Sequence, residues 1–127
     1  MNTDERRRHP RYVTKVETTI LADDVKVSAT MIDIGVSGIG IISEKAIQPG
    51  TEVYLSLKLK GKYSIQGSVI WSSQIYKEGK IYYYMGIEAD RIIVPDIKAI
   101  GFLKRTELVE ELLFRINEEG GKSIETV

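Results

Sequence analysis

The 127-residue chain has no cysteine, so disulfides and thiolate-ligated metals are excluded. It has one histidine, His9, and one tryptophan, Trp71. A serine triad would need His9 as its base, and nothing flanking His9 has the character of an orienting partner. His-x-x-x-His and Asp-x-Asp spacings are absent, so no metal set is selected. With no catalytic centre and no cofactor site to nominate, the expectation is a protein that is not an enzyme. No stretch approaches the roughly 20 apolar residues of a membrane span. The N-terminus is charged and lacks the apolar segment of a secretory signal. These absences fit a reducing, cytoplasmic setting with no membrane insertion. An excess of charge is also missing: 18 basic residues balance 18 acidic ones, for a formal net charge of zero. That argues against long nucleic acid, single-stranded or duplex, which draws on a basic face and many phosphate contacts.

What is present is the composition of one soluble domain, with 43% apolar residues. Its charge is placed unevenly. Arg6, Arg7, Arg8 and Arg11 are four of the seven arginines, while Glu107, Glu110, Glu111, Glu118 and Glu119 gather near the other end. Residues 1–11 have no apolar periodicity, and Pro10 biases His9 toward extended backbone, so they read as a flexible arginine-rich arm.

From Tyr12 to about Ala89 the apolar residues alternate with period two. The runs are Val16-Thr18-Ile20, Val25-Val27-Ala29-Met31, Ile39-Ile41-Ile42, Val53-Leu55-Leu57-Leu59, Ile65-Gly67-Val69-Trp71 and Ile81 to Ile87. Turn residues separate them at Asp23-Asp24, Pro49-Gly50, Gly61 and Glu78-Gly79. Six closely spaced strands with short turns imply antiparallel pairing, closed as a small barrel or folded as a sandwich. Gly67 and Gly86, inside strands, suit bends or bulges.

After Pro95 the period becomes helical, through Ile97, Ile100, Leu103, Leu108, Leu112, Leu113 and Ile116. A restart at Thr106-Glu107 and an end at Gly120-Gly121 follow from the capping residues. The Leu108–Ile116 strip either packs on the barrel or forms a partner or homodimer surface. The domain therefore spans residues 12–119, and residues 120–127 are expected to fray.

Two short stretches carry ligand chemistry. Arg6-Arg7-Arg8-His9-Pro10-Arg11 offers guanidinium forks, which match phosphate oxygens and the O6/N7 edge of guanine. Asp33-Ile34-Gly35-Val36-Ser37-Gly38 offers an acceptor-only carboxylate, able to take the N1–H and N2–H pair of guanine. Gly35 and Gly38 let a backbone approach closely, and Ser37 adds a hydroxyl. Alone, the first stretch is a solvated terminus and the second a turn between strands.

Taken together they resemble the PilZ domain, a bacterial receptor for cyclic di-GMP. That family pairs R-x-x-x-R with a later D/N-x-S-x-x-G. Arg7 and Arg11 stand at the ends of the first motif, with Arg6 preceding it, and Asp33 and Gly38 at the ends of the second. The Val-Ile-Trp segment ending at Trp71 and the Met85-Gly86-Ile87 strand extend the likeness. The resemblance implies a mainly β fold, a six-stranded antiparallel barrel with a C-terminal helical segment. It implies cyclic di-GMP bound by Arg6, Arg7, Arg11, Asp33, Gly35, Ser37 and Gly38, with Trp71 a stacking surface or a core residue. It implies an arm that orders on the ligand and a signal passed to a protein partner in trans. The alternative is a PilZ-like adaptor that ignores the nucleotide and oligomerises through residues 106–119. One departure stands out: Gly35 occupies the family's serine position. Losing one neutral hydrogen bond there costs about 0.5–1.5 kcal/mol, or roughly 2- to 13-fold in affinity.

Overall fold

The computed structural model describes residues 11–36, 38–93, 105–118 and 123–126. The strands are β1 (Arg11–Ala22), β2 (Val25–Gly35), β3 (Ile39–Ser43), β4 (Glu52–Lys58), β5 (Lys62–Lys77) and β6 (Lys80–Ile93). The helix α1 (Arg105–Glu118) and a short strand β7 (Ser123–Thr126) follow. All pairings are antiparallel. The order β2-β3-β6-β5-β4-β1 returns from β1 to β2, so six strands make a closed ring rather than a two-sheet sandwich.

Hairpin turns fall where the acidic and glycine residues are. Asp23 and Asp24 have φ of 48° and 66°, and Glu78 and Gly79 have 51° and 77°. Two successive left-handed residues match the twist of the flanking strands and close a two-residue hairpin. The inward residues of each strand form one core, with Ile20, Met31, Ile41, Leu55, Ile65 and Met85 fully buried. Full burial of such side chains contributes about 1.5–3 kcal/mol each.

Gly67 is needed by this packing. A Cβ there would lie 2.1 Å from the backbone oxygen of Glu88 on β6. A backbone carbonyl cannot swing aside, so Gly67→Ala is expected to cost about 1–3 kcal/mol through displaced strands. A thermal melt several degrees below the parent checks it, and an unchanged melt refutes it.

In α1, Val109, Leu112, Leu113 and Ile116 are buried in the same cluster as the barrel residues. These described residues of the helical strip therefore pack on the barrel within one chain; Phe114, 58% exposed, lies off them. Arg115 Nε donates to Glu111 Oε1 at 3.0 Å, one turn back. Hydrogen bonds to Glu111 and then to Tyr63 raise the Arg115 pKa above its ordinary value, and Tyr63 lies at the start of β5. The helical expectations at Pro95–Leu103 and at Gly120-Gly121 fall outside the described residues.

Two boundaries differ from the sequence expectation. Arg11, assigned to the arm, opens β1 and pairs with Gly35. The tail, expected to fray, contains β7, whose Ser123–Thr126 pair with Thr14–Arg11 on the edge of β1 that β4 occupies farther along. Edge pairing depends on a partner distant in sequence, so local composition carries little trace of it.

Candidate functional site

Two β-bulges create the site. Val27 and Met31 point into the core, and strict alternation would send Asp33 there too. Instead Met31 pairs with Ile41 and Asp33 with the next residue back, Gly40, leaving Ile32 as an extra residue. The bulge inverts the parity, so Ile34 is fully buried and Asp33 turns to the outer face. The same happens on β5. Val69 pairs with Ile87 and Trp71 with Gly86, leaving Ile70 extra. Trp71, which the alternation put on the buried face of its strand, is 41% exposed. Its outward position removes the core-packing alternative.

One register row then crosses four strands on the outside of the ring: Asp33, Gly40, Gly86 and Trp71. The two central positions carry no side chain, and the two end residues lean over them. A Cβ on Gly40 would lie 2.3 Å from Asp33 Oδ2, and one on Gly86 would lie 2.3 Å from Trp71 Nε1. Tyr84, two residues before Gly86 on the same face of β6, joins the ends. Its hydroxyl donates to Asp33 Oδ2 at 2.7 Å. Its ring meets Trp71 edge to face, with centroids 4.9 Å apart and planes at 88°. Such aromatic pairs contribute about 0.5–1.5 kcal/mol beyond burial.

Asp33 Oδ1 is held by Arg11 Nη2 in a salt bridge. The side chains of Arg11 and Asp33 are only 28% and 15% exposed, so this pair is shielded more than a surface one. It links the two stretches singled out in the sequence, 22 residues apart. Arg11, Asp33 and Tyr84 line one wall of a groove of about 840 Å³, with Tyr82, Ile75 and Lys77 contributing from β6 and β5. That volume lies within the range of small-molecule sites, about 300–1,000 Å³.

The other nominated residues divide. Gly35 ends β2, and its N–H donates to the Gly38 carbonyl at 2.9 Å, closing the turn between β2 and β3. Gly38 is required sterically, because a Cβ there would lie 2.6 Å from the backbone oxygen of Ile87. Trp71 reaches the acidic edge through Tyr84 and does not line the groove. Arg6, Arg7 and Ser37 lie outside the described residues. Sequence reasoning passed over Gly40, Tyr84 and the outward role of Gly86. The available signal was a glycine inside each of two apolar strands, since an interior glycine marks a close approach. Among the described residues, no three His, Cys, Asp or Glu side chains are grouped to hold a metal. Nor is any described helix long and apolar enough to cross a membrane.

The family model of the PilZ domain matches residues 5–103. No curated protein sequence matches the chain. Among solved structures, the PilZ domain with c-di-GMP of YcgR from Escherichia coli is similar, at 17% identity and a TM-score of 0.56. The alignment covers 89% of this chain and 98% of that one. The Bacillus subtilis inhibitor of motility MotI/DgrA is also similar, again at 17% identity and a TM-score of 0.56. There the alignment covers 87% of this chain and 52% of the other, so this chain spans about half the length of the Bacillus protein.

Proposed function

The chain belongs to the PilZ domain family, and from that premise we propose that it is a receptor for cyclic di-GMP. The observation that carries the proposal is the Arg11–Asp33 salt bridge on the outer wall of the groove. It brings the arginine motif and the acidic motif to one place with opposite charges. The guanidinium fork suits phosphate oxygens and the O6/N7 edge of guanine as well as a carboxylate. Asp33 accepts from guanine N1–H and N2–H, and the groove accommodates the base. Arg6 and Arg7 add charge from residues 1–10, which order over the groove as the ligand neutralises them. The chemistry is binding without turnover. The ordered arm presents a new surface to a protein partner in trans.

The likeness to the YcgR domain supports the fold on which this site is built. Burial of Val109, Leu112, Leu113 and Ile116 favours the receptor reading over an adaptor that oligomerises through the helix. Calorimetry with cyclic di-GMP at tens of micromolar protein and ligand is expected to give a saturable titration. A flat titration would sink the receptor reading.

A further inference from the structure

Tyr84 occupies a position on β6 that neither motif includes, yet its hydroxyl is bound to the motif carboxylate. The placement is held from three directions. Tyr84 pairs with Ile42 of β3 and Ser73 of β5 in the sheet. Its ring is clasped edge to face by Trp71, which in turn sits over Gly86. A tyrosine fixed in this way offers a hydroxyl with a set direction, at little further cost in side-chain entropy.

We propose that Tyr84 is a positioning residue for guanine recognition, holding Asp33 so that both carboxylate oxygens face one base edge. The proposal deepens the receptor reading and rests on it. Among the described residues Asp33 has two anchors, one on each oxygen: Arg11 on Oδ1 and Tyr84 on Oδ2. Each carboxylate oxygen has about two lone-pair sites, so one anchor per oxygen leaves both able to accept again. Two anchors also stop rotation about the Cβ–Cγ bond, which is otherwise a soft torsion. A carboxylate fixed in plane takes N1–H and N2–H of guanine together. A carboxylate held by Arg11 alone turns, keeps one donor and gives up the other. Tyr84 thereby supplies an ordered hydroxyl at the acidic edge in a chain whose motif has Gly35 where the family has serine. The trough at Gly40 leaves Asp33 room to lie flat against β3, so pinning and space act together.

The test is Tyr84→Phe in the full chain, which keeps the ring against Trp71 and deletes only the hydroxyl. Two ligands are titrated by calorimetry: cyclic di-GMP, and its inosine analogue cyclic di-IMP, which lacks the 2-amino donor. The parent is expected to prefer cyclic di-GMP about tenfold. The variant is expected to lose about tenfold for cyclic di-GMP and under about twofold for cyclic di-IMP, erasing the preference. An equal loss for both ligands, as a general structural role would produce, overturns the proposal, and so does unchanged binding of cyclic di-GMP. A parent that binds neither ligand overturns the receptor reading instead, and this proposal falls with it.

Discussion

Asp33→Ala will leave the chain folded and lower its affinity for cyclic di-GMP by about 10²- to 10⁴-fold. Asp33 is placed to receive two donors of a guanine, and hydrogen bonds to a charged acceptor contribute about 1.5–3 kcal/mol each. The same substitution also removes the carboxylate that Arg11 meets on the groove wall. Because Arg11 is only part-buried, water can solvate the donors it loses from that pair, and the stability loss is about 1 kcal/mol. Calorimetry reads the first effect and a thermal melt the second. A variant that binds within threefold of the parent, taking about 0.65 kcal/mol as the limit, would place guanine recognition elsewhere. Arg11→Ala is the reciprocal case with a different stability signature. As a bare arm residue Arg11 could be removed with no effect on the melt. As the first residue of β1, it is paired with the more buried Asp33. Its removal leaves that carboxylate with the Tyr84 hydroxyl and no cation among the described residues, and a lowered melt follows.

Gly40→Ala is expected to weaken cyclic di-GMP binding by about 10²-fold while lowering the melt less than Gly67→Ala does. The new methyl would lie 2.3 to 2.8 Å from all three carboxyl atoms of Asp33. Those atoms end a short side chain on the outer face, which moves aside by giving up its contacts to Arg11 and Tyr84, at a cost of about 1 kcal/mol. The larger cost appears in the ligand, because the displaced carboxylate no longer presents both oxygens and loses about 3 kcal/mol of hydrogen bonding. Gly67→Ala makes the same kind of intrusion into a backbone carbonyl, so its effect is on stability. The two substitutions together separate a glycine that shapes the site from one that shapes the barrel. Equal melts for the two variants, or undiminished binding by Gly40→Ala, would refute the distinction.

The fold was readable to the extent that its rules are local. Alternation over Val16-Thr18-Ile20 and Leu55-Leu57 depends only on the period of a strand, and those residues are buried as expected. The turns at Asp23-Asp24 and Glu78-Gly79 were readable because left-handed backbone is tolerated by few residues. The change to helical spacing identified α1, and amphipathicity left open what its strip packs on. Closure of the ring, in contrast, depends on β1 also pairing with β4, a contact between elements far apart in sequence. The same is true of β7 on β1.

The site divides along the same line. By itself the sequence determined the ingredients: arginines at one end, Asp33 in a glycine-rich turn, and a spacing that resembles a nucleotide receptor. Tertiary structure alone decided which way they face. An extra residue at Ile32 and another at Ile70 each reverse the inward–outward order of a strand. Those reversals bring Asp33 and Trp71 out of the core and onto the row that holds Gly40 and Gly86, beside Tyr84. A bulge is defined by the pairing of two strands, so a run of alternating residues in one of them carries no sign of it.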